Sequence, residues 1–450
     1  MEANGLIELL SYRGWMSSSE IGDRLGLSQP SVSRLTRRAG RMVVRAGQAR
    51  KTRYAARRTA FDAGDEFPLF AINQHGAPTH IATLHPVAPD GFYVESSSGA
   101  PWLRGESAVG TFEDLPYFLQ DLRPQGFLGR RIARALGSET GFPANPERWS
   151  SDQVGRYLLR YGEDLPGHLI LGERALEAVQ RHQHEIVPDP SAVYPELAQR
   201  IMAAGAPGSS AGGEQPKFTA LTDHGHVIVK FSPMGASAES QRWRDLLVSE
   251  WHALELLREH GIETPRTALH SPGGRVYLEI ERFDRMGERG RLPSLSLTAI
   301  DMEFVGALES WGQSGEALAE QGLLGRDDLG RLRWLDRFGE WIANNDRHLG
   351  NVSLAPTRSG YRLLPAYDML PMAFAPIRGE LMEPVYEPPA RSHRDGEELW
   401  QSTGVAAAAY WRRLSEEPRL SEAFRKVALA CLRSVESALE APAPWDRRFP

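Results

Sequence analysis

The spacing of hydrophobic and polar positions changes several times along the chain, and each change marks a new unit. Residues 1–60 have helical spacing, with Leu6, Ile7, Leu9 and Leu10 predicting a first helix. In M-S-S-S-E-I-G-D-R-L-G-L, Ser17 or Ser18 can cap a second helix that Gly26 ends. Ser28 can cap a third, with Pro30 tolerated in its first turn. There Val32 and Leu35 face a core and Gln29, Ser31, Ser33, Arg34 and Arg37 face outward. Val43–Arg45, a turn at Gly47 and Arg50–Tyr54 read as a two-stranded wing, so the unit predicts a winged helix-turn-helix.

Strand-like alternation appears next, at Pro68–Ile72, His80–Leu84 and Phe92–Glu95, and predicts a small sheet within residues 61–190. After it come F-E-D-L-P-Y-F-L-Q-D-L-R-P-Q-G-F-L-G-R-R-I-A, with Arg130, Arg131 and Arg134 on a helix, and D-L-P-G-H-L-I-L. Pro188, Pro190 and Pro195 are expected to break the chain before the next unit. Residues 191–285 predict strands at Phe218–Leu221 and V-I-V-K-F, a helix from about Ala238 to His260, and an apolar strand in R-V-Y-L-E-I-E. Residues 286–450 read as mostly helical: Arg333–Ile342 is amphipathic, Val405–Leu414 and Ser421–Leu439 are core helices, and the Gly/Glu-rich stretch around Gly312–Gly325 is expected to be exposed. The fold class is a multidomain α/β (α+β) chain.

Composition narrows this little: 450 residues, 41% hydrophobic and 24% charged, suit a soluble globular protein of two to four domains. No apolar run is long enough to span a bilayer, and no secretory signal is evident. The single cysteine, Cys431, excludes an internal disulfide and a thiolate metal cluster and fits a cytoplasmic location. Charge changes the picture more. Residues 1–60 hold 12 Lys/Arg against four Asp/Glu, about +8, leaving about −14 for the rest of a chain whose total is −6. That asymmetry points to DNA contact at one end, with the third helix reading a major groove and Arg50, Lys51 and Arg53 placed for phosphates. The only lysines are Lys51, Lys217, Lys230 and Lys426, so a lysine where arginine is the default is informative.

Candidate chemistry centres on W-I-A-N-N-D-R-H-L-G-N-V-S-L and the following Y-R-L-L-P-A-Y-D. Asp346, Asn351 and Asp368 could converge on one metal-bound phosphate: a carboxylate for the attacking hydroxyl, an amide and a carboxylate for Mg²⁺. The Asp-to-Asn spacing equals that of a protein-kinase catalytic loop, with His348 following the Asp. Upstream, G-A-P-G-S-S-A-G-G-E-Q-P-K-F, containing Ser209, Ser210, Gly212 and Gly213, is suited to cradle anions but is not a Walker A loop. Lys230 ends a strand and could neutralise phosphates, with Glu250 on the next helix orienting it. In a two-lobed kinase the backbone near Glu281–Phe283 would bond an adenine edge. His182, His184 and Glu185 lack metal-site spacing and read as a solvated linker.

Taken in order, S-S-A-G-G-E-Q-P-K-F, V-I-V-K, E-R-F-D-R, N-D-R-H-L-G-N and A-Y-D resemble the HipA family of bacterial serine/threonine kinases of toxin–antitoxin systems, over roughly residues 65–430. D-L-P-G and F-x-D-L-x-x-x-L-x-D-L-x-P-x-G are similar to that family's N-terminal subdomain. The resemblance implies a small β-rich subdomain at 61–190, a kinase N-lobe at 191–285 and a helical C-lobe at 286–450. It implies ATP and Mg²⁺, with Asp346 as base, Asn351 and Asp368 as metal ligands, and Lys230 with Glu250 on the phosphates. It also implies nucleotide contacts from Glu281, Phe283, His348 and the phosphate loop, and autophosphorylation of Ser210 or Ser209, the loop being one residue longer than the usual pattern. The helix-turn-helix fused ahead of the kinase resembles a YjjJ-like subgroup. From this follow the expected partners: the protein's own operator DNA, a translation component such as an aminoacyl-tRNA synthetase, an antitoxin, and a second copy in a homodimer.

Two other readings use the same residues: a transcription regulator whose inactive kinase fold senses nucleotide, and a metal-dependent nuclease acting on DNA. Deleting residues 1–60 is expected to abolish DNA binding and spare ATP affinity.

Overall fold

Ser17 Oγ accepts the Glu20 N–H at 3.2 Å, and the Glu20 carboxylate accepts the Ser17 N–H at 2.6 Å. This reciprocal cap starts the second helix, and Gly26, left-handed at φ 65°, ends it. The computed structural model describes residues 3–183, 185–203, 215–381, 384–391 and 396–441, apart from the side chains of Arg50, Ser138 and Glu139. Helices α1 (Ala3–Arg13), α2 (Ser18–Leu25) and α3 (Gln29–Ala39) pack around Leu6, Leu10, Ile21, Val32 and Leu35. Strands β1 (Met16–Ser17), β2 (Val43–Ala46) and β3 (Arg53–Ala56) form a sheet of order β1-β3-β2. Two local details differ from expectation. Ser28 sits at the cap position without capping, its hydroxyl pairing with Ser31 at 3.0 Å. Ala49–Lys51 coils into a 3-10 turn, so the return strand begins at Arg53 rather than Arg50.

This wing is not a detached bead. Val44 and Ala55 share a small apolar cluster with Val87, and Trp15 meets Tyr93 edge-on at 5.9 Å. The Ala88 N–H donates to the Ala56 carbonyl at 2.9 Å. Deleting residues 1–60 would therefore strip cover from the next sheet, so substitutions on α3 test DNA binding more cleanly than truncation.

That sheet has order β7-β6-β5-β4-β8, from β4 (Phe67–Ile72), β5 (Pro78–Pro86), β6 (Phe92–Ser96), β7 (Thr111–Phe112) and β8 (Leu169–Leu171). Helices α4 (Tyr117–Gln120), α5 (Gly126–Thr140), α6 (Ser151–Tyr161) and α7 (Glu173–Arg181) complete the middle unit.

The next sheet, order β12-β13-β11-β10-β9, contains β9 (Ile186–Val187), β10 (Lys217–Thr222), β11 (Gly225–Phe231), β12 (Thr267–His270) and β13 (Tyr277–Glu281). Against it lie α8 (Pro190–Ala203) and the long α9 (Ala238–Glu259). Pro190 and Pro195 do not break the chain: Pro190 starts α8 and Pro195 lies inside it. Pro190 needs no N–H partner at a helix start, and the burial of Tyr194 and Ala198 against Phe218 and Tyr277 holds the helix past Pro195.

Short strands β14 (Arg285–Met286), β15 (Gly290–Arg291) and β16 (Leu295–Ser296) lead into a helical lobe. It comprises α10 (Leu297–Phe304), α11 (Trp311–Glu320), α12 (Arg326–Trp341), β17 (Ser353–Pro356), β18 (Tyr361–Leu363), α13 (Gly396–Glu416) and α14 (Glu422–Glu440). The stretch expected to be exposed around Gly312 is instead α11, which buries Trp311, Ser314, Gly315 and Leu318. Ser310 and Gln313 cap it reciprocally, and Gly315 lets it approach α12, where a Cβ would meet Leu332 Cδ2 at 2.7 Å. α12 also begins earlier than expected, with Asp327 and Asp328 suiting the positive end of its dipole.

One apolar core runs from the middle sheet through α9 to α14, including Phe61, Leu254, Trp341, Trp411 and Val435. Among the described residues no helix is long and apolar enough to cross a membrane.

Gly155 on α6 lies directly under the Phe61 ring, which stacks on Phe92 at 5.6 Å and leans on Phe67 at 4.9 Å. In a free helix Gly→Ala gains about 1 kcal/mol, whereas overpacking a fixed aromatic costs about 1–3 kcal/mol. Gly155→Ala should therefore lower stability by about 1 kcal/mol in urea unfolding. An unfolding midpoint at or above wild type would mean that the ring can step aside.

Candidate functional site

Alternation along β11 turns Lys230 inward, opposite Leu278 on β13 and Lys217 on β10. Only 6% of Lys230 is exposed, and Glu250, near the middle of α9, is wholly buried. The Lys230 ammonium donates to Glu250 Oε1 at 2.6 Å and also to Asp368 Oδ1. Helix α9 is fastened so that Glu250 faces the sheet. Arg242 reaches the Phe374 carbonyl at 2.9 Å, Asp245 accepts the Ser421 N–H at 2.8 Å, and His252 pairs with Glu417 at 2.6 Å.

Asp368 has a left-handed backbone, φ 54°, a conformation that costs a non-glycine residue energy and needs support. Asn344, itself buried, donates to the Asp368 carbonyl at 3.2 Å and accepts the Asp346 N–H at 3.1 Å. Asn351 Nδ2 donates to the Asp346 carbonyl at 2.8 Å, which leaves its Oδ1 to face another partner. The loop is braced by Arg347, bonded to Asp336 at 3.1 Å and Glu340 at 3.3 Å, and by Trp311, donating to the His348 carbonyl at 2.9 Å. Tyr367 donates to the Gly350 carbonyl at 3.0 Å, and its ring lies 5.7 Å from that of Phe283.

The carboxyls are differentiated by their surroundings. Burial alone would raise Asp368, but Lys230 and then Lys217 hold it down at about 2, a permanent anion. Glu250 goes the other way, because burial outweighs Lys230 and the Asp368 charge adds to it. Burial works to lower Lys230, yet Asp368 and Glu250 together raise it. Asp346, although exposed, is raised, first by lost hydration, while His348 opposes this. An anion that stays charged suits a cation ligand; a carboxyl nearer neutrality suits proton transfer.

The fold thus unites Asp346, Asn351, Asp368, Lys230 and Glu250. Phe283 lies beside Tyr367, while the Glu281 carboxylate turns to Arg266 at 2.8 Å and its N–H donates to the Arg266 carbonyl at 2.9 Å, leaving its carbonyl for a base edge. His348 is exposed, its Nδ1 accepting the Gly350 N–H at 3.1 Å. Ser209, Ser210, Gly212, Gly213 and His184 lie outside the described residues. At the other end Gln29, Arg34, Arg37, Lys51 and Arg53 are exposed, and Arg34 and Arg37 each bond a half-buried serine, Ser31 and Ser33, at 3.2 Å.

Lys217 was missed. It pairs in register with Lys230, and like charges facing across strands repel unless an anion lies between them. The scarcity of lysine that singled out Lys230 applied equally to it. Asn344 and Tyr367 carried no comparable signal.

ATP and Mg²⁺ fit these residues. The donors are carboxylate and amide oxygens, as Mg²⁺ prefers, and an ion that arrives with phosphates and water needs only one or two carboxylates. Among the described residues no group of three or more His, Cys, Asp and Glu is placed to hold a metal ion.

A buried Lys–Glu pair between a sheet and its long helix, above a helical lobe presenting Asp346, Asn351 and Asp368, defines a two-lobed, protein-kinase-like fold. Comparison places it further. Residues 63–180 match the family described as YjjJ-like toxin, middle domain, and residues 209–438 match the HipA-like C-terminal domain. Toxin YjjJ of Escherichia coli (strain K12) is 35% identical over 427 residues, 93% of this chain and 94% of that one. The chain belongs to the HipA-like toxins, in their YjjJ-like branch. HipA of Shewanella oneidensis MR-1, solved with HipB and operator DNA, shares the fold at TM-score 0.52 and 16% identity, over 84% of this chain and 100% of its own. The Helicobacter pylori proinflammatory kinase CtkA matches at TM-score 0.34, 14% identity, over 50% of this chain and 88% of its own, too loosely to bear on the fold.

Lys230→Met leaves Glu250 buried without its cation and should cost about 3–5 kcal/mol at neutral pH. Glu250's pKa, already raised, rises further, so the deficit should shrink as falling pH protonates it, and Glu250→Gln in the same chain should recover most of it. Urea unfolding at several pH values checks this; a pH-independent loss that Glu250→Gln does not relieve would dissociate the pair.

Proposed function

We propose that the protein is an ATP- and Mg²⁺-dependent serine/threonine protein kinase that arrests growth by phosphorylating a translation component, and that its N-terminal unit reads its own operator. One observation carries the enzymatic reading: Lys230 touches both Glu250 and Asp368, from three separate parts of the chain, beside the loop holding Asp346 and Asn351. When bound, Mg²⁺ would screen the phosphate charge. Asn351 and Asp368 would hold it, and Lys230 and Lys217 would neutralise phosphate oxygens. Asp346 would accept the proton of the attacking serine or threonine hydroxyl. Phe283 and Tyr367 would wall the base. An aminoacyl-tRNA synthetase is the substrate class the family likeness suggests, and autophosphorylation at Ser210 or Ser209 the corresponding control. The HipA relative was solved with HipB and operator DNA, which supports a DNA contact and an antitoxin partner here, with a homodimer matching paired half-sites.

Phosphoryl transfer depends mainly on positioning and charge, so Asp346→Ala and Asp368→Ala should each lower turnover ~100-fold or more. Transfer of label from [γ-³²P]ATP to protein measures this, and wild-type labelling by either variant would remove its assigned role. Because lost hydration raises Asp346 while Asp368 stays ionised down to about pH 2, the rate should lose a single protonation's worth of activity as pH falls, above the ordinary aspartate range. At the DNA end, Arg34→Ala with Arg37→Ala should weaken operator binding and flatten its salt dependence, leaving ATP affinity unchanged. Operator shifts identical to wild type would move the footprint off α3.

A further inference from the structure

The segment immediately behind Glu281–Phe283 is held by a buried charge cluster. Arg282, Arg285 and Arg291 are each at least nine-tenths buried, and so is Asp284. Arg282 grips Asp284 with two bonds, at 3.0 and 2.9 Å, and Arg285 donates to the same carboxylate at 2.6 Å. Within the kinase lobes this leaves three guanidinium groups against one carboxylate, an imbalance that burial makes costly.

The balancing charge comes from the D-L-P-G turn of the middle unit. Asp164 Oδ1 accepts from Arg282 at 2.9 Å and from Arg285 at 3.1 Å. The same turn supplies the Leu165 carbonyl to Arg285 at 2.7 Å and its Gly167 N–H to Asp284 at 2.9 Å. Gly167 has φ 72°, and a Cβ there would lie 2.8 Å from the Ser294 carbonyl oxygen, so the turn fits only with glycine. Arg282 is also the residue between Glu281 and Phe283. Its N–H donates to the His226 carbonyl at 2.8 Å, while its side chain leaves in the opposite service, toward Asp164 and Asp284.

We infer that the middle unit clamps the nucleotide-binding hinge, and that Asp164 is a positioning residue that sets the Glu281–Phe283 backbone through Arg282. This rests on the reading of that segment as the adenine contact. Loosening the clamp would then change which base is preferred and how tightly it is held, because hydrogen bonds to a base edge depend on the placement of a few backbone groups. Phosphate positioning by Lys230, Asn351 and Asp368 would be untouched.

The test is steady-state phosphoryl transfer by the full chain with ATP and GTP, beside thermal melting. Asp164→Asn should raise KM for ATP ~10-fold, leave kcat within about twofold, and narrow the ATP-over-GTP preference, the pattern of lost ground-state binding. Asp164→Glu should restore part of that preference. Glu303→Ala removes a different contact to the middle unit, the 2.8 Å bond that the Glu303 carboxylate accepts from the Glu106 N–H, and should leave KM and base preference unchanged. The Asp164 side chain is 50% exposed, so the asparagine variant should fold; if melting shows otherwise, Arg282→Lys, which keeps the charge and loses the fork to two carboxylates, carries the same expectations. Wild-type KM and base preference in the folded variants, or a loss of kcat alone, would overturn the clamp. Absence of saturable nucleotide binding by the wild-type protein would instead remove the adenine reading, and the clamp with it.

Discussion

A single ammonium, Lys230, joins the sheet, the long helix and the helical lobe of this protein. Alone, its burial opposite hydrophobic Leu278 would be prohibitive. Two carboxylates make it tolerable, and they come from α9 and from the strained turn at Asp368. Each member is costly without the others, so the site is assembled as a unit. The cross-strand Lys217 sets a second positive charge in register beside it.

The surrounding architecture limits how that unit can move. Helix α9 is tied to the C-terminal helices through Asp245–Ser421, His252–Glu417 and Arg413–Glu259. These ties set where Glu250 stands against Lys230. The middle unit is equally committed. Asp121 accepts the Ser296 N–H at 2.7 Å at the start of α10, and Tyr117 and Tyr361 share a 2.8 Å hydroxyl contact across the same boundary. Motifs that look like a separate subdomain in the chain are thus supports of the helical lobe, joined to it by a continuous core.

Much of this was legible from one sequence because local chemistry was enough. Ser17–Glu20 and Gly26 mark a helix by hydrogen bonds within a few residues, and the apolar spacing of Val32 and Leu35 identifies the buried face of α3. Asp346, Asn351 and Lys230 carried their own signals: a fixed spacing in one case, a rare residue type at a strand end in the other. Misreadings arose where distant packing overruled composition. Gly315 looked like a loop glycine but is a contact glycine under Leu332, and Pro195 looked like a breaker but lies in a helix anchored by Tyr194.

The chain by itself determined the inventory: which residues cap helices, which alternate into strands, and which oxygen and nitrogen donors a phosphate site could draw on. Only the tertiary structure decided partnership. Asp164 and Arg282 stand more than a hundred positions apart, and nothing in their neighbourhoods announces that one neutralises the other. Electrostatic compensation acts through space at a few ångströms, whereas sequence pattern reports neighbours along the backbone, so such pairs appear only once the chain has closed on itself.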